Sequence, residues 1–189
     1  MKQQTEMVET VVTNGINVTE YEEIVQAVTE EPGLAKFQFR ASNRWDTGGF
    51  NQTTIKGFYG AGEEQGAEDR SFLLDADEPP VILGQDKAPT PVEYLLHALA
   101  ACLTNSIVYK AAAWGIKIES VEATLEGDMD ARSFLEISDE ERRGFTNIRA
   151  TYRVKSDAPP EKIKEMAEFS PVLDVITNGT PVSIEIEKV

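Results

Sequence analysis

The chain has a single cysteine, Cys102, and a single histidine, His97. One cysteine excludes an internal disulfide, and a thiolate-rich zinc site within one chain is excluded with it. No metal and no cofactor are expected. Any catalytic pair that needs histidine would have to use His97, only five residues before Cys102. On an ideal helix that spacing is a rotation of about 140°, so the two side chains do not meet. Basic residues are also scarce: 18 Lys and Arg stand against 33 Asp and Glu, a net charge of -15. A nucleic-acid binder needs a basic footprint to displace counterions, and an anionic membrane surface needs one too; neither partner is expected. No apolar run approaches the roughly 18 residues that span a bilayer. Met1 to Thr10 is polar and lacks the apolar core of a signal peptide. These absences predict a cytoplasmic protein.

What is present is ordinary globular material. Hydrophobic residues make up 41% and charged residues 27%, which excludes a disordered chain. The length supports one substantial core, read here as a domain over 34–189 with an N-terminal extension, 1–33, that carries a helix. In the extension Thr19 stands as N-cap before Glu20, and Tyr21, Ile24, Val25 and Val28 recur at helical spacing until Glu31-Pro32-Gly33. Phe37, Phe39 and Ala41 alternate with polar residues, and Thr53 to Tyr59 follows a turn at Asp46–Gly49, so 36–60 reads as a hairpin. Ser71 to Ala76 is a third strand, and Val81 to Leu83 a short pairing segment. The acidic stretch 63–78 reads as a solvated face without calcium-loop spacing.

Pro91 to Ala113 is the longest helical pattern, capped by Thr90 and ended by Gly115. It is nearly all apolar or small from Leu95 to Val108, the mark of a buried helix. His97, Thr104 and Asn105 interrupt it, and the apolar stretch is too short to span a membrane. Lys117–Met129 and Gly144–Val154 alternate as a second antiparallel pair. Helices opening at Pro160 and Pro171 and a closing strand with Val182, Ile184 and Ile186 complete an α+β order.

Cys102 is the strongest nucleophile type present. A free cysteine at such a position is most often a small buried hydrophobe. A reactive one needs a nearby cation or helix N-terminus. Cys102 lies about eleven residues into its helix, too far for the dipole. By helical spacing it shares a face with Leu95, Leu99 and Ser106. Glu93 is nine residues away, about 13.5 Å along the axis, and its plainest role is a charge on the helix N-terminus. Arg40 and Arg44 flank the first turn. Arg149 and Arg153 share one strand face, where acids are plentiful enough to pair with them.

The run Thr90-Pro91-Val92-Glu93-Tyr94-Leu95-Leu96 leading to Cys102, followed by Ser170-Pro171-Val172-Leu173-Asp174 and Thr180-Pro181-Val182, resembles the two motifs of the OsmC-like family. The resemblance implies antiparallel sheets packed around a buried central helix, in an intertwined homodimer with sites at the subunit interface. In the family's peroxidase branches one cysteine attacks an organic hydroperoxide, a second cysteine resolves the sulfenic acid, and an external dithiol restores both. Cys102 matches the first cysteine. Glu93 falls near the supporting glutamate, one residue closer to the cysteine than in the best-known branch. The supporting arginine has no position match: Arg44 precedes Gly48-Gly49, and Phe50 stands where that branch has arginine. Serine stands at the second cysteine position, Ser170, and a hydroxyl cannot form a disulfide.

Two readings follow. One is a one-cysteine thiol peroxidase in an oxidative stress response, using Cys102, Glu93 and Arg44 with an external thiol reductant. The other is a non-catalytic dimer, stress-associated or holding a small apolar or acyl-like ligand in a pocket near Cys102 lined by His97, Leu99, Ser106 and Ser170.

Overall fold

The structure, a computed structural model, describes residues 10–66 and 70–189. Most of the polar N-terminal stretch and the end of the acidic 61–69 loop lie outside the described residues. The order is β1 (Val12–Thr13), β2 (Ile16–Asn17), α1 (Val18–Glu30), β3 (Ser42–Thr47), β4 (Phe50–Ile55), β5 (Phe58–Gly60), β6 (Glu63–Gln65), β7 (Phe72–Ala76), α2 (Pro91–Ala113), β8 (Ile118–Asp128), α3 (Ala131–Phe134), β9 (Asn147–Ser156), α4 (Pro160–Ala167) and α5 (Pro171–Asn178). All strand pairs registered among them are antiparallel, and the class is α+β as expected. The chain divides into two compact units, one ending at Leu95 and one running from Leu96 to Val189 together with residues 13–16.

In the first unit, α1 is capped by Asn17 rather than Thr19: Glu20 N donates to Asn17 Oδ1 at 3.2 Å. Its apolar stripe, including Ile24 and Val25, buries nothing. β3, β4 and β7 form a three-stranded sheet with β4 central. The expected strand at Phe37–Ala41 is a single bridge, Gln38 to Tyr59. The alternation there serves ring contact instead, because Phe37, Phe39 and Phe58 stack with centroids 5.2 to 6.3 Å apart. The expected strand at 53–59 breaks at Lys56-Gly57, and Phe58 opens a separate small hairpin, β5–β6. Val81–Leu83 does not pair. Pro80–Ile82 is a 3-10 turn, and Leu83 caps it in the left-handed region.

Asp77 corrects the reading of 63–78 as a solvated face. It is 1% exposed, and its carboxylate accepts from the backbone N–H of Glu78, Gln85 and Lys87 at 2.8, 3.3 and 3.1 Å. Burial opposes its charge, yet those three donors and the nearby Lys87 hold the carboxyl below its ordinary range. The loop that feeds α2 is thus wrapped round one anion.

In the second unit, β8 and β9 pair over ten positions, from Ile118↔Ser156 to Asp128↔Asn147. Val121, Ala123 and Leu125 share a face with Val154, Tyr152 and Ala150. The other face pairs Glu122 with Arg153 and Glu126 with Arg149. Arg149 is the arginine that finds acids, Asp128 and Glu126. Ile107 and Ala111 of α2 pack with Ile163 and Met166 of α4, and Tyr152 and Val154 close over them. Asn14, itself part of this unit, donates to Ile116 O and accepts from Ile118 N.

Two expectations are corrected here. α2 is buried along one stripe only (Leu99, Leu103, Ile107, Ala111 and Ala112) and is not enclosed. At 23 residues it is also long and apolar enough to cross a membrane by length and composition, so shortness does not exclude that. Its buried stripe packs on protein. The closing strand is absent. Val182, Ile184 and Ile186 alternate as expected but are 78%, 81% and 88% exposed, with no ladder partner. Alternation selects a face, whereas a strand also needs a neighbour for its backbone groups.

The carboxyls of Glu64, Asp77, Asp128 and Asp130 all sit below their ordinary values, and the Arg132 hydrogen bond brings Asp130 to about 2. Unfolded carboxyls titrate near about 4. Their contribution to stability is therefore complete above about pH 4 and is lost as pH falls toward about 2. A circular dichroism titration is expected to place acid unfolding in that window, and Asp130→Asn to flatten its lower end.

Candidate functional site

The site is built on one face of α2. Cys102, Asn105, Ser106, Tyr109 and Lys110 follow one another at i, i+3, i+4, i+7 and i+8, so they form one stripe of the helix. Phe169 and Pro171, at the entry to α5, complete an open cavity of about 230 Å³ against that stripe. Cys102 is half-buried and its thiol is free. Lys110 is the only charged residue lining the cavity. Its Nζ sits 4.3 Å from the centroid of the Phe169 ring. The Phe169 ring meets Trp114 edge-on at 6.1 Å, and Lys162 lies 3.9 Å from the Trp114 centroid. Two rings are therefore flanked by a cation at each end, with two contacts of cation–π geometry and one edge-on ring contact between them.

Tyr152 comes to the same helix from β9. Its hydroxyl donates to Ala100 O at 2.9 Å, two residues before the cysteine. Burial lifts its phenol above the ordinary value, a hydrogen bond with Thr104 opposes that, and the negative charge of Cys102 as a thiolate lifts it further. The phenol thus lies within electrostatic reach of Cys102.

Ser170 stands between the two cavity residues of the α5 entry. It is 1% exposed and caps α5, its Oγ accepting from Leu173 N at 3.1 Å. Ser170 is thus a satisfied helix cap. Ser170→Ala strands the Leu173 N–H and is expected to cost about 1 kcal/mol, read as a shift in urea midpoint.

Of the other sequence candidates only Ser106 joins Cys102 on the cavity lining. Leu99 is buried at 3% exposure, and His97 is exposed. Glu93, in the first unit, closes a capping box with Thr90. Thr90 N donates to Glu93 Oε2 at 2.7 Å, and Glu93 N donates to Thr90 Oγ1 at 3.2 Å. Arg44, also in the first unit, is an exposed residue of β3 opposite Gln52, which in turn donates to Asp75 at 2.8 Å. Arg40 is taken by Glu64, 2.7 Å away. Among the described residues no group of three or more His, Cys, Asp or Glu is placed to hold a metal ion.

Sequence reasoning missed Asn105, Tyr109 and Lys110, although the i+3, i+4, i+7, i+8 rule applied to Cys102 yields all three. Tyr152 carried no such signal, because it reaches Ala100 only through the packing of β9 on α2.

A family model described as OsmC-like protein matches residues 84–185, just over half of the chain, and includes both motif runs through Val182. Comparison with curated proteins finds no match. Among solved structures, an OsmC-like protein of Mycoplasma pneumoniae is similar with a TM-score of 0.53 and 17% identity, over 74% of this chain and 86% of that one. A Psychrobacter arcticus protein, assigned provisionally to osmotic stress induction and detoxification response, gives 0.55 and 16% over 74% and 88%. A Legionella pneumophila structure described as an organic hydroperoxide resistance protein OsmC gives 0.49 and 18% over 75% and 90%. At these identities the Mycoplasma and Psychrobacter structures speak to the fold alone, and the family model to membership. Because that family model covers more than half of its length, this chain, an antiparallel α+β protein with its one cysteine on the long helix, belongs to the OsmC-like family.

Proposed function

We propose that this chain is a one-cysteine thiol peroxidase of the OsmC-like family that reduces organic hydroperoxides through Cys102. The observation that carries the reading is the cavity beside the sulfur, which joins apolar walls at Tyr109, Phe169 and Pro171 to one cation, Lys110. An alkyl or aryl hydroperoxide has matching parts, an apolar body and an oxygen that becomes negative as it leaves. The Cys102 thiolate attacks the terminal peroxide oxygen. The O–O bond breaks, the alkoxide departs and takes a proton from solvent, and the sulfur becomes a sulfenic acid. Ser170 cannot resolve it. An external thiol condenses with the sulfenic acid, releasing water, and a second equivalent reduces the mixed disulfide. For Glu93 the support is the family likeness; Arg44 has no match to the family's arginine position, and Lys110 is the cation the cavity itself supplies.

The test is single-turnover reaction with cumene hydroperoxide, followed by mass of the Cys102 peptide. Addition of one oxygen within seconds, in stoichiometric yield, is expected. Reaction no faster than a free cysteine would sink the reading. Lys110→Gln is expected to slow oxidation about two- to fivefold, the scale of one partly exposed charge interaction. The second reading, a binding protein that has left the peroxide cycle, is favoured by Ser170, whose hydroxyl is buried and fully used as a cap.

The reading includes a cytoplasmic homodimer. Its support is apolar surface without a partner in the chain: Val182, Ile184 and Ile186 at the C-terminus, and Leu95 and Tyr109 on α2. A second copy would give those groups neighbours. Light scattering coupled to gel filtration is expected to return twice the chain mass.

A further inference from the structure

A second cavity in the Leu96–Val189 unit is separate in its lining from the one beside Cys102. It is larger, about 430 Å³. Its floor is Leu103 and Ile107 of α2, one wall is Tyr152 and Val154 of β9, and the other is Ile163 and Lys164 of α4. Every lining residue but two is aliphatic or proline. One exception, Tyr152, turns its hydroxyl to Ala100 O and so offers the cavity mainly its ring. The other, Lys164, is the sole charge. It is exposed, and its ammonium has no carboxylate partner among the described residues, although Glu161, Glu165 and Glu168 stand on the same helix. None of those three acids lines the cavity. Most described lysines make no ion pair; what sets Lys164 apart is its place as the one charge on the lining of this apolar groove.

We propose that this groove is a binding site for the alkyl chain of a monocarboxylate, with the carboxylate on Lys164. The lining fits that amphiphile and no more polar ligand. A sugar or nucleotide would lose its hydrogen bonds to water against walls that offer none in return. A hydrocarbon without a head group would leave Lys164 unused. The site needs no reaction at Cys102 and stands apart from the peroxide reading. Tyr152 gives it a link to the cysteine, since the ring that walls the groove carries the phenol that reaches the Cys102 helix.

The experiment is calorimetric titration of the full chain with hexanoate, octanoate and decanoate below micelle formation, and with decanol. Affinity is expected to rise by up to about fourfold for each added methylene, the factor for burying one CH2. Decanoate is expected to bind at least threefold tighter than decanol, and Lys164→Gln to erase that difference while keeping the dependence on chain length. Ala150→Trp, which fills the groove from β9, is expected to abolish binding; circular dichroism would check that it folds. Cys102→Ser is expected to bind decanoate as the parent does, which separates this site from the peroxide chemistry. Binding that is indifferent to chain length, or a decanoate preference that survives Lys164→Gln, would overturn the proposal. So would a homodimer that binds no decanoate, because a second copy would then be what covers the groove.

Discussion

Cys102→Ser is expected to reduce hydroperoxide consumption to the uncatalysed background. The chain has no other thiol to take its place. Serine keeps nearly the same volume at a half-buried position, so the fold should survive and the loss can be read as chemistry. A second measurement sharpens the result. In the parent protein, hydroperoxide without added thiol is expected to carry Cys102 past the sulfenic acid to sulfinic and sulfonic acids, because Ser170 offers no sulfur to trap it. With a small thiol present, a mixed disulfide at Cys102 should replace those products. Two-cysteine proteins would show an internal disulfide instead. If Cys102→Ser consumes peroxide as fast as the parent, the peroxidase reading fails and the binding reading stands.

Ile107→Ala is expected to be the most damaging single substitution for stability, at about 2–5 kcal/mol. Ile107 is 1% exposed and meets Ala111, Ile163 and Met166 in the core of the second unit. Its removal leaves a cavity among groups that cannot collapse, since Ala111 and Met166 are already fully buried. Ile107→Val, which removes one methyl, should cost only about 0.5–1.5 kcal/mol. Urea melts would rank the three proteins. Hydrogen exchange would show whether the loss is confined to α2, α4 and β9. A cost below that of Ile107→Val would mean that this cluster does not anchor the unit. The consequence for function is indirect but direct enough to measure: Cys102 is five residues away on the same helix, so loosening that helix should slow its oxidation.

Much of the architecture was legible because local rules act over short spans. The start of α2 was written as Thr90-Pro91 with Glu93 in the first turn, and its end as Gly115, where a positive φ of 69° suits glycine. Pro160 and Ser170-Pro171 marked α4 and α5 for the same reason. The alternation of Val121, Ala123 and Leu125 against Val154, Tyr152 and Ala150 announced the β8–β9 hairpin with the correct inward face. What failed were segments whose pattern was right but whose partner was not in the sequence window. Phe37 and Phe39 alternate yet stack on Phe58 with one bridge, and Val182 to Ile186 alternate yet have no ladder partner among the described residues. Asp77 looked like one acid among many. Only the fold of 77–90 brings three N–H donors to it.

The same division holds for the candidate site. By itself the sequence determined that any thiol chemistry must rest on Cys102, that the chain has no second cysteine to resolve it, and that the motifs are OsmC-like. Those are matters of count, residue type and motif order, and no arrangement in space alters them. Tertiary structure decided which groups the thiol meets. Glu93 and Ser170 became helix caps, while Lys110, Tyr109 and Phe169 became the walls beside the sulfur. A cap is settled within one turn of chain, but a cavity wall is set by how separate elements pack. Phe169 lies 67 residues beyond Cys102 in the chain, and only the docking of the α4–α5 segment on α2 brings it to the sulfur's side.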